Sequence, residues 1–573
     1  MERKNEEIPI KVENTAQAFL ELLSLRGIDC FFANAGSDFA SIVDGFACRE
    51  KEGKRTPRPV TVPHEIPLIS MAHGYYLITG RPQAAMVHVG VGTANAIGPI
   101  MSAQRARIPM LLCAGRTPVT EEGHPASRSS FIHWAQESFD QAGILREYVN
   151  WDYELRDTSQ LEEVVDRALL MAMSDPRGPV YLTLPRELLY SPFEQGAYYS
   201  KPRYDPPTSY PDPEKINKAA ELISKANNPH IITSSTGRTP ECVDALINLS
   251  EAWSIGVVSF YPEYMNFPPG HYCHQGFSPD PFLEDSDLIL VIDCDVPWYP
   301  AIKKPPVSTR IINIGIDPFY RRYPLRSFHS DITINGDSRL AMADLCNVLS
   351  KYSDNRKEVI ETRRERLKKQ HDSLFQVLSN RAIESSSDVP VDPGYVSSRV
   401  NRILNSSTIN VNEYNNQMIW QTNHTPGAYF GVPHAGYLGW GVGASLGIKM
   451  AAPEKTVITT VGDGSYIFSV PSACHFVSNS YNLPILVIIY NNQGWNAVRH
   501  STLGLHPDGW AAKSKDMPLA ELKPSPDFER ICMAFGGYGE KVESPDQIDG
   551  ALERALNVVE NEKRQACLNV ICE

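Results

Sequence analysis

Positive charge is scarce in this chain of 573 residues, where 54 Lys and Arg stand against 67 Asp and Glu for a formal net charge of −13. That balance argues against a nucleic-acid or anionic-membrane surface, since both partners need clustered positive charge. The one basic run, RRERLKK at 363–369, is interleaved with acids as on a solvated helix. Long apolar runs are missing too. No stretch reaches the length that spans a bilayer, and the opening MERKNEEIPIKVEN is charged where a secretory signal is apolar, so a cytoplasmic location is expected. No C-x-x-C pair occurs among the 11 cysteines, which points to reduced, mostly buried thiols, Cys113 among them, and away from a disulfide frame.

The chain does have the composition for several cores, with 42% hydrophobic residues. Apolar runs such as AAMVHVG, LILVIDCD and PILVIIYNN alternate with helical patterns, which implies parallel sheets covered by helices on both faces. Two segments break the rhythm: a proline-rich linker at 195–213, and a charged helix with a polar connector at 352–393. Three doubly wound α/β domains are therefore expected, at about 1–195, 210–350 and 390–573. In such sheets a ligand sits beyond the carboxyl ends of the strands.

Two of those ends stand out. VGDGSYIFSV places Asp463 between Gly462 and Gly464 at the end of one strand, and YNNQGW places Asn491 and Asn492 at the end of the next. Residues 465–490 between them suffice for one helix and one strand. Asp463, Asn492 and a backbone carbonyl near Gly494 make a hard oxygen donor set suited to Mg²⁺, with Ca²⁺ an alternative. The flanking glycines admit a diphosphate closely, and Ser465 opens a helix whose N-terminal amides favour an anion. Either dipeptide alone reads more readily as a turn; the pairing across a strand–helix–strand unit points to a site.

This arrangement resembles the cofactor motif of the thiamine diphosphate-dependent enzymes, a GDG followed after about 24 to 27 residues by NN. The resemblance extends over almost the whole chain, in the order pyrimidine-binding, middle and diphosphate-binding domain, as in the acetolactate synthase, pyruvate decarboxylase and benzoylformate decarboxylase group. It implies thiamine diphosphate and Mg²⁺ as cofactors. It also implies a glutamate that hydrogen-bonds the aminopyrimidine, for which VPHEIPL supplies Glu65; Leu68 stands where a zinc-binding HExxH needs its second histidine. By the same resemblance Leu438 supports the bent cofactor, and Asn415 and Asn95 contact it.

Within the group the polar residues look most like those of benzoylformate decarboxylase: Ser37 in FFANAGSDF, His88 in MVHVGVGTANAIG and His271 in PPGHYCHQG. A serine can hold a substrate carboxylate and histidines can move protons. Taken singly, Ser37 is as readily a turn residue, His88 a satisfied core histidine and His271 a loop residue near His274. Ala33, Ala35 and Gly443 depart from the group's pattern and leave the substrate open. Trp495, Ala497 and Val498 suggest an apolar substrate pocket, with 501–516 a flap or a surface loop.

The middle domain has no G-x-G-x-x-G and IDCDVPWYP replaces the synthase's flavin-contacting stretch, so flavin is not expected, although Asp317 ends a strand where a nucleotide could sit. The expected activity is decarboxylation of a 2-oxo acid, with carboligation to an aldehyde or second 2-oxo acid as a further route. The alternatives are an acetolactate synthase-like carboligase without flavin, and a non-catalytic cofactor-binding subunit, against which Glu65 argues. The resemblance further implies a homodimer or homotetramer with its active sites between subunits.

Overall fold

The computed structural model describes residues 6–573 except 414, 415, 418, 419, 421–424, 515 and 516. Three α/β units each carry one parallel sheet, as expected from the alternation of apolar runs and helical patterns. The first sheet orders its strands Arg58–Thr61, Cys30–Ala33, Ala84–Val87, Leu111–Arg116, Val180–Pro185, Asp152–Glu154. The middle sheet runs Gly256–Ser259, Pro229–Thr233, Leu288–Ile292, Arg310–Gly315, Ile332–Asn335. The third runs Tyr429–Gly431, Thr408–Glu413, Thr456–Gly462, Leu486–Asn491, Ala566–Ile571, Tyr538–Val542. Central strands such as Leu288–Ile292 and Leu486–Asn491 are buried along their whole length, because helices cover both faces.

Numbered within its own unit, each six-stranded sheet runs 2-1-3-4-6-5, and the middle sheet runs 2-1-3-4-5. The winding reverses between strands 1 and 3 in all three, and the carboxyl ends beside that switch are where an open sheet receives a ligand. The stretch 195–213 is a connector only in its later part: its first residues form strand Gly196–Tyr199, antiparallel to Glu7–Ile10. The charged segment becomes the 28-residue helix Lys357–Glu384. Among the described residues no helix is long and apolar enough to cross a membrane.

The shared topology of the outer units has a packing consequence. The helix after strand 2 of the first sheet, Glu65–Thr79, lies against the helix after strand 2 of the third, Trp440–Ala451. Glycine makes the approach possible. A Cβ on Gly74 would overlap the Ala444 carbonyl, one on Gly447 the Met71 carbonyl, and one on Gly443 would lie 2.7 Å from Ser70 Cβ. Leu68, Met71 and Ala72 thereby join Trp440, Ala444 and Ile448 in one core that runs through both units. The Trp440 indole N–H donates to His73 Nδ1 at 3.2 Å, and burial holds His73 down at about 3, so it stays a neutral acceptor.

Candidate functional site

In the third unit, strand Thr456–Gly462 delivers Asp463 as the first residue of helix Asp463–Phe468, and strand Leu486–Asn491 delivers Asn492. The two strands are hydrogen-bonded neighbours, so the acid and the amide stand at adjacent ends. Both reach the same backbone group: Asp463 Oδ2 and Asn492 Oδ1 each accept the Gly494 N–H at 3.1 Å, while Asp463 Oδ1 accepts that of Gly464 at 2.8 Å. Burial pushes the Asp463 carboxyl up from its ordinary range, a penalty that a bound cation would relieve. No group of three or more His, Cys, Asp and Glu side chains placed to hold a metal ion occurs among the described residues. The donors gathered here are instead one carboxylate, one amide and backbone, a hard set that leaves positions for phosphate oxygens and water. A side chain at Gly464 would overlap the Trp495 ring, so the backbone between Gly462 and the buried Ser465 is open to a close ligand only as glycine. These residues fit a Mg²⁺ diphosphate.

Glu65 is buried at the start of its helix, 3% exposed. The preceding His64 caps the helix, its Nδ1 accepting the Ile66 N–H at 3.1 Å. The Glu65 carboxylate accepts Asn34 Nδ2–H at 2.8 Å through Oε1 and Asn95 Nδ2–H at 3.2 Å through Oε2. Asn95 is thus tied to Glu65, and Asn34, at the end of strand 1, is a site residue that sequence reasoning did not single out. The signal was its position right after the buried strand Cys30–Ala33.

His88 ends strand 3 of the first sheet, the place Asp463 holds in the third. Its Nδ1 lies 2.5 Å from Oδ1 of Asp38, a buried acid also missed from the sequence, and this bond is the main cause that raises the His88 pKa. Asp38 Oδ2 accepts the Val89 N–H at 3.3 Å. Val89, which makes that bond, stands at φ +32°, a conformation costing a β-branched residue about 1–3 kcal/mol. Ser37 lies beside Asp38 on the same turn, Ser37–Phe39, and is exposed.

Leu438 is half-buried between Gly436 and Gly439, both at positive φ, where the chain turns into helix Trp440–Ala451. Below that turn lies an acid the sequence reading passed over: Glu413, fully buried at the end of strand Thr408–Glu413, accepts the Gly439 and Gly441 N–H groups at 2.6 Å each and bonds Ser465. Burial pushes Glu413 up to about 7. Asn415 lies outside the described residues. His271 is not brought to these groups: its Nε2 meets Glu251 at 2.9 Å and its ring packs on Phe267 and Tyr272, all in the middle unit. Asp317 is engaged by the Arg321 guanidinium at 3.2 Å. Gly443 faces helix Glu65–Thr79, so its departure from the family pattern bears on packing. Trp495 meets Phe468 edge-on, Ala497 and Val498 are exposed, and the segment beyond begins with helices Asn496–Leu505 and Trp510–Ser514. A cavity of about 820 Å³ between the middle and third units, lined by Tyr261, Tyr299, Asp295 and His434 among others, holds none of the predicted residues.

The chain is similar to known proteins along most of its length. The sequence profile of the thiamine pyrophosphate enzyme N-terminal TPP binding domain matches residues 13–144, that of the central domain 216–345, and that of the C-terminal TPP binding domain 414–570. The chain is 24% identical over 559 residues to benzoylformate decarboxylase of Pseudomonas aeruginosa, covering 94% of this chain and 96% of that one. It is 25% identical over 536 residues to the acetolactate synthase isozyme 3 large subunit of Escherichia coli, covering 88% and 86%. The crystal structure of benzoylformate decarboxylase from Polynucleobacter necessarius superposes with a TM-score of 0.78 at 19% identity over 98% of each chain, a likeness of fold.

Proposed function

The chain belongs to the thiamine pyrophosphate enzyme family, in its decarboxylase and acetolactate synthase group, and from that premise we propose that it decarboxylates a 2-oxo acid with the help of Mg²⁺. The observation that carries the reading is the pair of buried acids in the first unit, Glu65 held by two amides and Asp38 bonded to His88. Asp463, Asn492 and the Gly494 carbonyl hold the metal, Gly462, Gly464 and Ser465 take the diphosphate, and Leu438 supports the rings. When bound, thiamine diphosphate supplies a carbon nucleophile and an electron sink for the pair left by departing carbon dioxide. Glu65 offers its carboxyl to the pyrimidine, and its two amide donors keep it aimed while leaving acceptor capacity free. Ser37 binds the substrate carboxylate through its exposed hydroxyl, and His88 handles the proton that the product carbon gains. His271 acts here only from another copy of the chain.

The hydrogen bonds of Glu65 stay within the first unit and those of Asp463 within the third. A homodimer in which one copy's first unit faces the partner's third unit completes the site. The test is incubation with thiamine diphosphate, Mg²⁺ and benzoylformate or pyruvate, with and without acetaldehyde, products being identified by mass spectrometry. Glu65→Gln should retain the cofactor and lose about 10²- to 10⁴-fold in kcat. Aldehyde from the 2-oxo acid alone supports the decarboxylase reading. Acetolactate or an acyloin instead supports the carboligase reading that the Escherichia coli relative favours. No carbon dioxide from any 2-oxo acid, or turnover unchanged in Glu65→Gln, refutes the proposal.

A further inference from the structure

Resting on that reading of His88, we infer that Asp38 is its positioning residue: it fixes the ring through Nδ1 and keeps both ring nitrogens protonated, so that His88 serves as the proton donor to the product. Four observations converge on the pair. The Asp38 Oδ1 to His88 Nδ1 distance is 2.5 Å, a short contact between two ionisable groups, and Asp38 is only 4% exposed. Its second oxygen accepts the Val89 N–H at 3.3 Å, so the carboxylate cannot rotate away without giving up that bond. Two glycines make room: a Cβ on Gly36 would overlap the His88 ring, and one on Gly115 would overlap the Asp38 carboxylate. Finally, Gln136 stands at the other ring nitrogen, its Nε2 3.4 Å from His88 Nε2, while its Oε1 is buried without a partner. A half-turn of that amide, whose oxygen and nitrogen are near-identical in shape, gives the buried oxygen a donor and gives the second ring N–H an acceptor. The surroundings then offer an acceptor to each nitrogen of an imidazolium, which a neutral ring cannot use fully.

The charges around the ring agree in sign. Asp38 and Glu65 favour the protonated form, partial burial opposes it, and Asp38 is the largest influence. The neighbouring His133 is pushed the other way, by burial first and then by Arg186 and Arg128. The stoichiometry needs such a donor. A 2-oxo acid anion plus one proton gives an aldehyde and carbon dioxide; His88 Nε2 gives up that proton and regains one from water after release.

The first measurement needs no variant: nitrogen-15 spectra of the histidine-labelled protein at pH 6.5, the ordinary histidine midpoint. There His88 is expected more than half protonated, and a mostly neutral ring overturns the inference. Asp38→Asn should then move the His88 titration to lower pH, shift the alkaline limb of the kcat profile the same way, and cut kcat by roughly 10- to 100-fold. In a His88→Ala background the same substitution should cost nothing more. Asp38→Glu, which keeps the charge, should restore part of the titration. Asp38 has no hold on the ring if Asp38→Asn folds as the parent does yet leaves titration and pH limb unmoved. It acts elsewhere if its cost is undiminished beside His88→Ala. Parent-like turnover of His88→Ala, by contrast, refutes the catalytic reading of His88 itself.

Discussion

The contact between helices Glu65–Thr79 and Trp440–Ala451 can be probed by one methyl group. In Gly447→Ala the new Cβ lies 2.8 Å from the Met71 carbonyl carbon and nearer still to its oxygen, against an ordinary contact of 3.4 Å or more. The obstacle is backbone in the middle of a helix, so it cannot swing aside as a side chain tip would. Two effects compete. Alanine in place of glycine in a helix is worth about 1 kcal/mol of stability, whereas forcing extra volume into a packed contact costs about 1–3 kcal/mol. Parting the helices also stretches the Trp440 to His73 bond, so the net effect is a loss of roughly 1–2 kcal/mol. Gly74→Ala strikes the Ala444 carbonyl across the same contact, and the double variant should lose less than the two singles together, because the helices have already moved. Gly504→Ala is the control: Gly504 lies in helix Asn496–Leu505 with nothing near its missing Cβ, and should be neutral or stabilising. Hydrogen exchange of the amides in the two packed helices reads the effect locally, without assuming that the whole chain unfolds in one step. Exchange in Gly447→Ala as slow as in the parent, or slower, would show that helix propensity outweighs the contact and refute the reasoning.

Two further predictions concern the third unit. Asp463→Ala should weaken thiamine diphosphate binding in Mg²⁺ by more than the roughly 10- to 100-fold that an outer-shell change costs; Trp495, packed on Gly464, provides the fluorescence signal, and parent-like affinity would exclude Asp463 from the metal. Glu413 is raised from 4.5 to about 7 in the folded protein, so folding retains a proton that the unfolded chain releases in between. Its contribution is therefore fully present below about pH 4.5 and is lost as pH rises through about 7, by roughly 3 kcal/mol at most. Urea midpoints at pH 5 and pH 8 should differ less in Glu413→Gln than in the parent; an unchanged difference would mean that Glu413 ionises freely.

The parallel sheets were legible because strands buried on both faces read as continuous apolar runs, and the ends of two of them carried the acid and amide of GDG and NN. What escaped sequence reading depends on partners distant along the chain. SDF drew attention to Ser37, while Asp38 acquires its meaning only when strand 3 carries His88 to it, 50 residues on. Glu413 reads as the polar end of a strand until Gly439 and Gly441 are folded over it. Gly443 reads as a departure from a family pattern, and only the approach of Pro67 and Ser70 shows why a side chain is excluded there. The stretch 195–213 reads as linker because its proline content masks a short strand, whose partner is Glu7–Ile10.

The shared core of the first and third units also sets a timetable for biosynthesis. Helix Glu65–Thr79 leaves the ribosome about 360 residues before Trp440–Ala451 exists. At about 5–20 residues per second that is roughly 20 to 70 s, during which Leu68, Met71 and Ala72 lack their third-unit partners Trp440, Ala444 and Ile448. Through that interval the nascent first unit carries apolar surface that the third unit later covers, the kind of exposure that makes a partly made chain prone to aggregation.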